Sequence, residues 1–395
     1  MRPLEHLSSS RLLNAWLVYK ICSSRKLVSY SPKLMSMSNK MPIRRPFWWI
    51  LKNTIFRQFC GGESLADVKS TVTDLKKLGV NSILDYAVES DSISTSKDLF
   101  ENLKSSINFA GSPDVKGTRI AVKLSAIIPF DVLENLSREI VNVPPERLSY
   151  IGDHKSIQNY LEKLCLLTEL CQSKNVKIAV DAEHHVIQPA IDRITLYLMA
   201  RYNSHRNVFV SNTYQMYLKG AFERMSDHYQ LFHYLKRGFG VKLVRGAYLG
   251  HQDKNSPNGY GPILNSIEET HAQFDKAINV VVGEWILRTD HIATDVMIAT
   301  HNSQSIKLAV DSLKESAISD LHEVSFAQLL GMQDQVTYSL ALSGYNVYKY
   351  VPFGPVSVSL PYLARRMQEN CDVFKTRSEI DSIRKELVCR IMSFT

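Results

Sequence analysis

Ser64-Leu65-Ala66-Asp67-Val68-Lys69-Ser70-Thr71-Val72-Thr73-Asp74-Leu75-Lys76-Lys77-Leu78-Gly79, running into Val80-Asn81-Ser82-Ile83-Leu84-Asp85, contains the alternation that decides the fold. Ser64 is a helix-capping type, and Leu65, Val68, Val72, Leu75 and Leu78 recur at spacings of three and four, one apolar face of a helix. Gly79 closes that pattern. The short apolar run Ile83-Leu84 follows at once and stops at a carboxylate, Asp85.

The same change from helix to short strand repeats downstream. Ile120-Ala121-Val122 ends in Lys123, Val176 to Val180 ends in Asp181, and Val208-Phe209-Val210 leads towards Gln215. Val241 to Val244 ends in Arg245, and Val296 to Ala299 ends in Thr300-His301-Asn302. Ser325-Phe326 leads to Gln328, and Tyr345 to Tyr348 ends near Tyr350. These runs are continuous rather than alternating, as expected of strands buried on both faces of a parallel sheet. Eight such units predict an α/β fold, a (βα)8 TIM-like barrel with extra N-terminal helices. An open dinucleotide-binding sheet would need G-x-G-x-x-G after its first strand, and the chain has none there.

Charge divides the chain unequally. Residues 1–62 hold eleven Lys or Arg against one acid, Glu5, whereas the remaining 333 residues hold 36 basic and 38 acidic side chains. A body with no basic excess does not suit nucleic acid, so that partner class is excluded. The acid-poor, Ser- and Arg-rich start resembles a mitochondrial transit peptide, with a disordered basic tail as the alternative. Residues 1–45 are therefore expected to be a disordered transit peptide, and 46–395 the barrel domain. No run of apolar residues is long enough to predict a transmembrane helix. Phe47-Trp48-Trp49-Ile50, beside Arg44, Arg45 and Lys52, suits either a membrane interface or packing on the body. The six cysteines form no C-x-x-C pair, so neither a zinc site nor a disulfide framework is expected.

In a barrel the chemistry collects at the C-terminal strand ends. They would carry Asp85, Lys123, Asp181, Gln215, Lys242 or Arg245, His301, Gln328 and Tyr350. Arg365-Arg366, on the helix after the eighth strand, suits a small carboxylate or phosphate through bidentate hydrogen bonds, or else forms a solvated helix face. Glu369, four residues after Arg365, is placed to brace it. Asp181-Ala182-Glu183-His184-His185 holds metal-ligating types, but adjacent histidines diverge, and no metal is predicted. Thr300-His301-Asn302 offers three polar groups at a strand end, for a flavin or pyrophosphate or as a buried structural set.

Nine blocks, in order, resemble those of proline dehydrogenases. They are Leu84-Asp85-Tyr86, Val122 to Ala126, Val180-Asp181-Ala182-Glu183, Thr213 to Lys219, Lys242 to Tyr248, Ala299 to Asn302, Gln328 to Met332, Tyr350 to Gly354 and Tyr362 to Asn370. The chain is similar to the monofunctional mitochondrial enzymes of fungal type. It has no room for the aldehyde dehydrogenase fused to many bacterial relatives. The resemblance implies FAD-dependent oxidation of L-proline to Δ1-pyrroline-5-carboxylate, with electrons passed to ubiquinone in the inner membrane facing the mitochondrial matrix. It places Lys123, Arg365 and Arg366 on the substrate carboxylate, with Asp85, Glu89 and Glu369 as supporting ion pairs. It gives Tyr350, Tyr248, Leu243 and Leu329 to the walls of the ring pocket, and Asp181, Lys242 and Tyr350 to the reacting centre. Gln215, Lys242, Arg245, Gly246, Ala247, Thr300 and His301 match flavin-contact positions. Lys242 stands where bacterial relatives have Arg, and Arg245 where they have Lys. The segment 250–259 matches nothing and receives no role. Hydroxyproline-preferring relatives have a smaller residue in place of Tyr350, so a preference for hydroxyproline is the nearest alternative. A catalytically inactive, membrane-associated flavin-binding protein is the other.

Overall fold

The computed structural model describes residues 2–24, 26, 28–29, 44–86, 96–247, 263–288, 292–315, 323–371 and 373–392. Eight parallel strands close a barrel in chain order: β1 (Val80–Tyr86), β2 (Arg119–Val122), β3 (Ile178–Val180), β4 (Val210–Gln215), β5 (Phe239–Val244), β6 (Thr294–Ala299), β7 (Val324–Leu329) and β8 (Asn346–Phe353). Each expected strand is present. The (βα)8 barrel is the fold of this chain, and the continuous apolar runs have the expected cause: β2, β3 and β4 are buried along their whole length.

Contacts divide the chain into two compact units, Met1–Ser92 with Gln328–Thr395, and Ile93–Ala327. The second unit contains β2 to β6 and most of β7, with helices including Phe130–Glu139, Gln158–Ser173, Gln188–Tyr202, Ala221–Tyr234 and Ile267–Val280 between them. Its strands pair in one register, from Ile120 beside Ile178 to Ala299 beside Ala327. Near the N-terminal strand ends Arg119 donates to both oxygens of Asp295, at 2.5 and 2.8 Å, and Lys177 donates to the same carboxylate at 2.7 Å. Burial alone would raise the Asp295 pKa. The two cations override it and hold this carboxyl far below the usual range.

The first unit pairs β1 with β8, from Val80 beside Val347 to Tyr86 beside Phe353. Helix Leu65–Lys77 precedes β1 and starts at a reciprocal cap. Ser64 Oγ accepts from the Asp67 amide at 3.3 Å, and the Asp67 carboxylate accepts from the Ser64 amide at 3.1 Å. Two helices follow β8 in the chain, Leu360–Glu369 with the arginine pair and Val373–Met392 at the C-terminus.

Within residues 1–45, expected from the sequence to be a disordered transit peptide, Ser9–Cys22 is a helix, α1, in the first unit. Leu12, Ala15, Val18, Tyr19 and Cys22 form its buried stripe. Arg390 Nη2 donates to the carbonyls of Leu4 and Glu5 at 3.0 and 2.9 Å, and Arg2 pairs with Glu386 at 3.5 Å. The basic, acid-poor composition is shared by presequences and by helices whose charges face water. Composition alone does not separate the two.

Candidate active site

Within the second unit the polar residues gather after β2 to β6. Lys242, in the middle of β5, is almost wholly buried, and its Nζ reaches past β4 to Asp181 Oδ1 at 2.5 Å. Asp181 follows β3, its amide fixed on the Val122 carbonyl at 2.9 Å. Glu183 accepts from the Ser125 amide at 3.0 Å and from the Ser125 hydroxyl. Burial raises the Glu183 pKa, while those bonds and Lys123 pull it down. Gln215, at the end of β4, donates to the Glu183 carbonyl at 2.9 Å, so its amide is aimed by the neighbouring strand end. Lys123 follows β2 directly and is half-buried.

Arg245, just past β5, is held on three sides. Nε donates to His271 Nδ1 at 2.9 Å, Nη1 to Thr300 Oγ1 at 2.6 Å and Nη2 to Ser305 Oγ at 2.8 Å. Its guanidinium lies 4.2 Å from the Phe274 ring centroid. Burial pushes its pKa down to about 10, opposed by Asp275, so it remains a cation at neutral pH. His271, Phe274 and Ser305 carry no signal in the sequence. They lie on helices, and spacing says nothing of which strand end they meet. Asn302 Oδ1 accepts from the amides of Gln304 and Ser305 and so caps the next helix. Next to Arg245, Gly246 has φ 135°, and a Cβ there would stand 1.6 Å from the Tyr217 ring. Ala247 is exposed and His301 half-buried, each beside the group named. Among the described residues no cluster of three metal-ligating side chains occurs.

In the first unit, Asp85 is buried in β1 beside Pro352, and Tyr350 lies beside Ile83. Tyr350 and Leu329 are both half-buried, and the Tyr350 carbonyl accepts from the Leu330 amide at 2.9 Å. The arginine pair is not a solvated face. Arg365 is half-buried, and Arg366 is only 5% exposed, with its guanidinium 4.9 Å from the Tyr362 ring centroid. Arg366 Nη2 donates to Glu369 Oε1 at 2.6 Å, so the carboxylate that spacing offered to Arg365 is bonded to its neighbour. Arg366 Nε and the Tyr362 hydroxyl are buried with no hydrogen-bond partner among the described residues. A buried guanidinium with donor capacity left over is costly unless an anion completes it. Tyr248 and Glu89 lie outside the described residues, as does the segment 250–259.

A closed parallel barrel with Lys123, Lys242 and Arg245 at or near the C-terminal ends of its strands has the architecture of a barrel enzyme. The family model of proline dehydrogenase matches residues 68–378. "Proline dehydrogenase 1, mitochondrial" of Dictyostelium discoideum is 29% identical over 97% of this chain and 73% of its own length. "Hydroxyproline dehydrogenase" of Xenopus laevis is 30% identical over 98% of this chain and 88% of its own. A solved structure, proline utilization A of Bdellovibrio bacteriovorus inactivated by N-propargylglycine, superposes with a TM-score of 0.67 over 92% of this chain. At 16% identity that likeness concerns the fold, and this chain spans 37% of the larger protein. The chain belongs to the proline dehydrogenase family, and it is an enzyme of that kind, an oxidoreductase acting on proline.

Proposed function

We propose that the chain oxidises L-proline to Δ1-pyrroline-5-carboxylate with FAD, and that the electrons pass on to ubiquinone. The observation that carries this reading is Arg366: buried, braced by Glu369 and left with an unused Nε donor. An amino-acid carboxylate would meet that demand through charge-assisted hydrogen bonds. The residues also fit a flavin. Lys242, buried, and Arg245, half-buried, supply positive charge, and Gly246 keeps the backbone beside them bare, since the Tyr217 ring occupies the place a side chain would take. Gln215, Ala247, Thr300 and His301 would join them in holding it. FAD, when bound, supplies the two-electron acceptor that no side chain can provide.

The protein's own part is binding and orientation. Arg365, Arg366 and Lys123 take the carboxylate. Tyr350, Leu243, Leu329 and Tyr248 exclude water around the ring. Asp181, fixed against Lys242, accepts a hydrogen bond from the substrate nitrogen and so holds it in one orientation. Oxidation removes two electrons and two protons from the C5–N bond, and the proton on nitrogen leaves towards Asp181. Steady-state assay with a soluble quinone and L-proline tests the reading, with the imine product trapped. Turnover on L-proline supports it, and none sinks it.

A relative named hydroxyproline dehydrogenase favours a second reading, the 4-hydroxylated substrate. Tyr350 weighs against it, because a phenol beside that ring carbon leaves no room for the extra oxygen. For location we propose the mitochondrial matrix, at the inner-membrane surface. Support comes from the basic start of the chain, from the "mitochondrial" in one relative's name, and from Trp49 and Ile50 at 68% and 55% exposed. No described helix is long and apolar enough to cross a membrane.

A further inference from the structure

Resting on the proline-site reading, we propose that α1 is a permanent working part of the enzyme. In this proposal Tyr19 is a positioning residue that fixes the loop after β7, and the mature protein keeps it.

That loop starts from Leu329, the last residue of β7 and assigned above to the wall of the substrate ring, and turns at Gly331. Gly331 has φ +73°, and a Cβ on it would meet the Gln58 carbonyl oxygen at 2.0 Å. Its own carbonyl receives two buried donors, the Tyr19 hydroxyl at 2.6 Å and Gln58 Nε2 at 2.9 Å. Lys349 acts on either side of the turn. Its Nζ is wholly buried and donates to the carbonyls of Met332 at 2.5 Å and Leu329 at 3.2 Å, with its charge balanced by Asp334 at 2.7 Å. A four-residue turn with four such bonds to its carbonyls has one conformation, and one of the four comes from the N-terminal helix.

The same helix supports the arginines. Val18 and Cys22 of α1 belong to one apolar cluster with Met332 of the loop and with Tyr362, Leu363 and Met367 of the helix Leu360–Glu369. Removing α1 would expose that cluster and release the Gly331 carbonyl together. A transit peptide discarded with residues 9–22 does neither harm only if the helix has no such role. Any processing in the cell must therefore cut before α1.

The test uses the full chain with FAD bound. Tyr19→Phe removes the hydroxyl and little volume. We expect the KM for proline to rise about fivefold, the size of one lost buried hydrogen bond, with kcat changed less. Ser64→Ala, which loses a helix cap elsewhere in the same unit, lowers the melting temperature by a similar amount and is expected to leave KM unchanged. Amide exchange at Leu330 and Met332 gives a readout independent of turnover, expected to speed up in Tyr19→Phe and not in Ser64→Ala. Equal exchange in the two variants, or an unchanged KM in Tyr19→Phe, would overturn the proposal. So would a mature mitochondrial chain that begins after Tyr19. Should the wild type fail to turn over proline, the proline reading falls, while amide exchange still decides whether Tyr19 holds the loop.

Discussion

Arg366 and Tyr350 carry most of the substrate argument, and each makes a separable prediction. Arg366→Met keeps the helix and the contact with Tyr362 but removes the charge that an anion would complete. Loss of a buried charge-assisted contact costs about 2–5 kcal/mol, so the KM for proline should rise roughly 30- to several-thousand-fold. Flavin content, read from visible absorbance, should be unchanged, and an unaltered KM would remove the arginine from the site. Tyr350→Ser opens space against the apolar ring. The wild type is expected to prefer L-proline over trans-4-hydroxyproline at least tenfold in kcat/KM, since burying an unpaired hydroxyl costs about 1–3 kcal/mol. The variant should narrow the gap mainly by losing efficiency on proline. Equal efficiency of the wild type on both substrates would show that Tyr350 is not the discriminating wall.

Among the elements, the strands were legible in the sequence and α1 was not, for one physical reason. A strand covered on both faces shows itself as an unbroken apolar run, and Val176 to Val180 or Val241 to Val244 can hardly be read otherwise. In α1 the buried Leu12, Ala15, Val18, Tyr19 and Cys22 alternate with the exposed Leu13, Trp16 and Leu17. The helix is apolar nearly all round, so periodicity picks out no buried face. Lys349 was equally hidden, because a strand lysine looks solvated until its partner Asp334 is located. Beside that pair the C-terminal helix brings in Glu379, whose pKa is raised by burial, and further by Asp334, to about 7. Lys349 and an amide at Gln333 oppose the rise. A carboxyl whose folded pKa lies above its unfolded value near 4.5 leaves stability untouched below that pH, and stability is lost as pH rises towards 7. Glu379→Gln should therefore flatten the fall in melting temperature between pH 5 and 8. A fall as steep as in the wild type would show that Glu379 is not its source.

At the scale of the molecule, the buried charge cluster of the second unit lies at the N-terminal strand ends, opposite the C-terminal ends where the site is proposed. The carboxylate of Asp295, with Arg119 and Lys177, ties β2 and β6 near their N-terminal ends, where a barrel puts residues that hold the fold. Its depressed pKa makes that contribution full above about pH 4 and lost below it. Asp295→Asn strands the buried Arg119 and removes the partner of the half-buried Lys177, and should cost about 3–5 kcal/mol in denaturant unfolding. At 25 °C the folded fraction should keep its kcat/KM for proline, and a large loss there would mean that the two ends are coupled. The residues named from the sequence at the strand ends were legible because each follows a short apolar run. What the sequence hid was their support: Ser125 on Glu183, and His271 and Ser305 on Arg245, all contacts made by residues distant in the chain. FAD bound by this chain, and reduced by L-proline, is what the proposed function requires above all. Anaerobic mixing of the purified, yellow protein with L-proline reads both at once. Loss of the flavin absorbance with one imine formed per flavin is the expected result; a purified protein without flavin, or a flavin that stays yellow under saturating L-proline, would overturn the assignment.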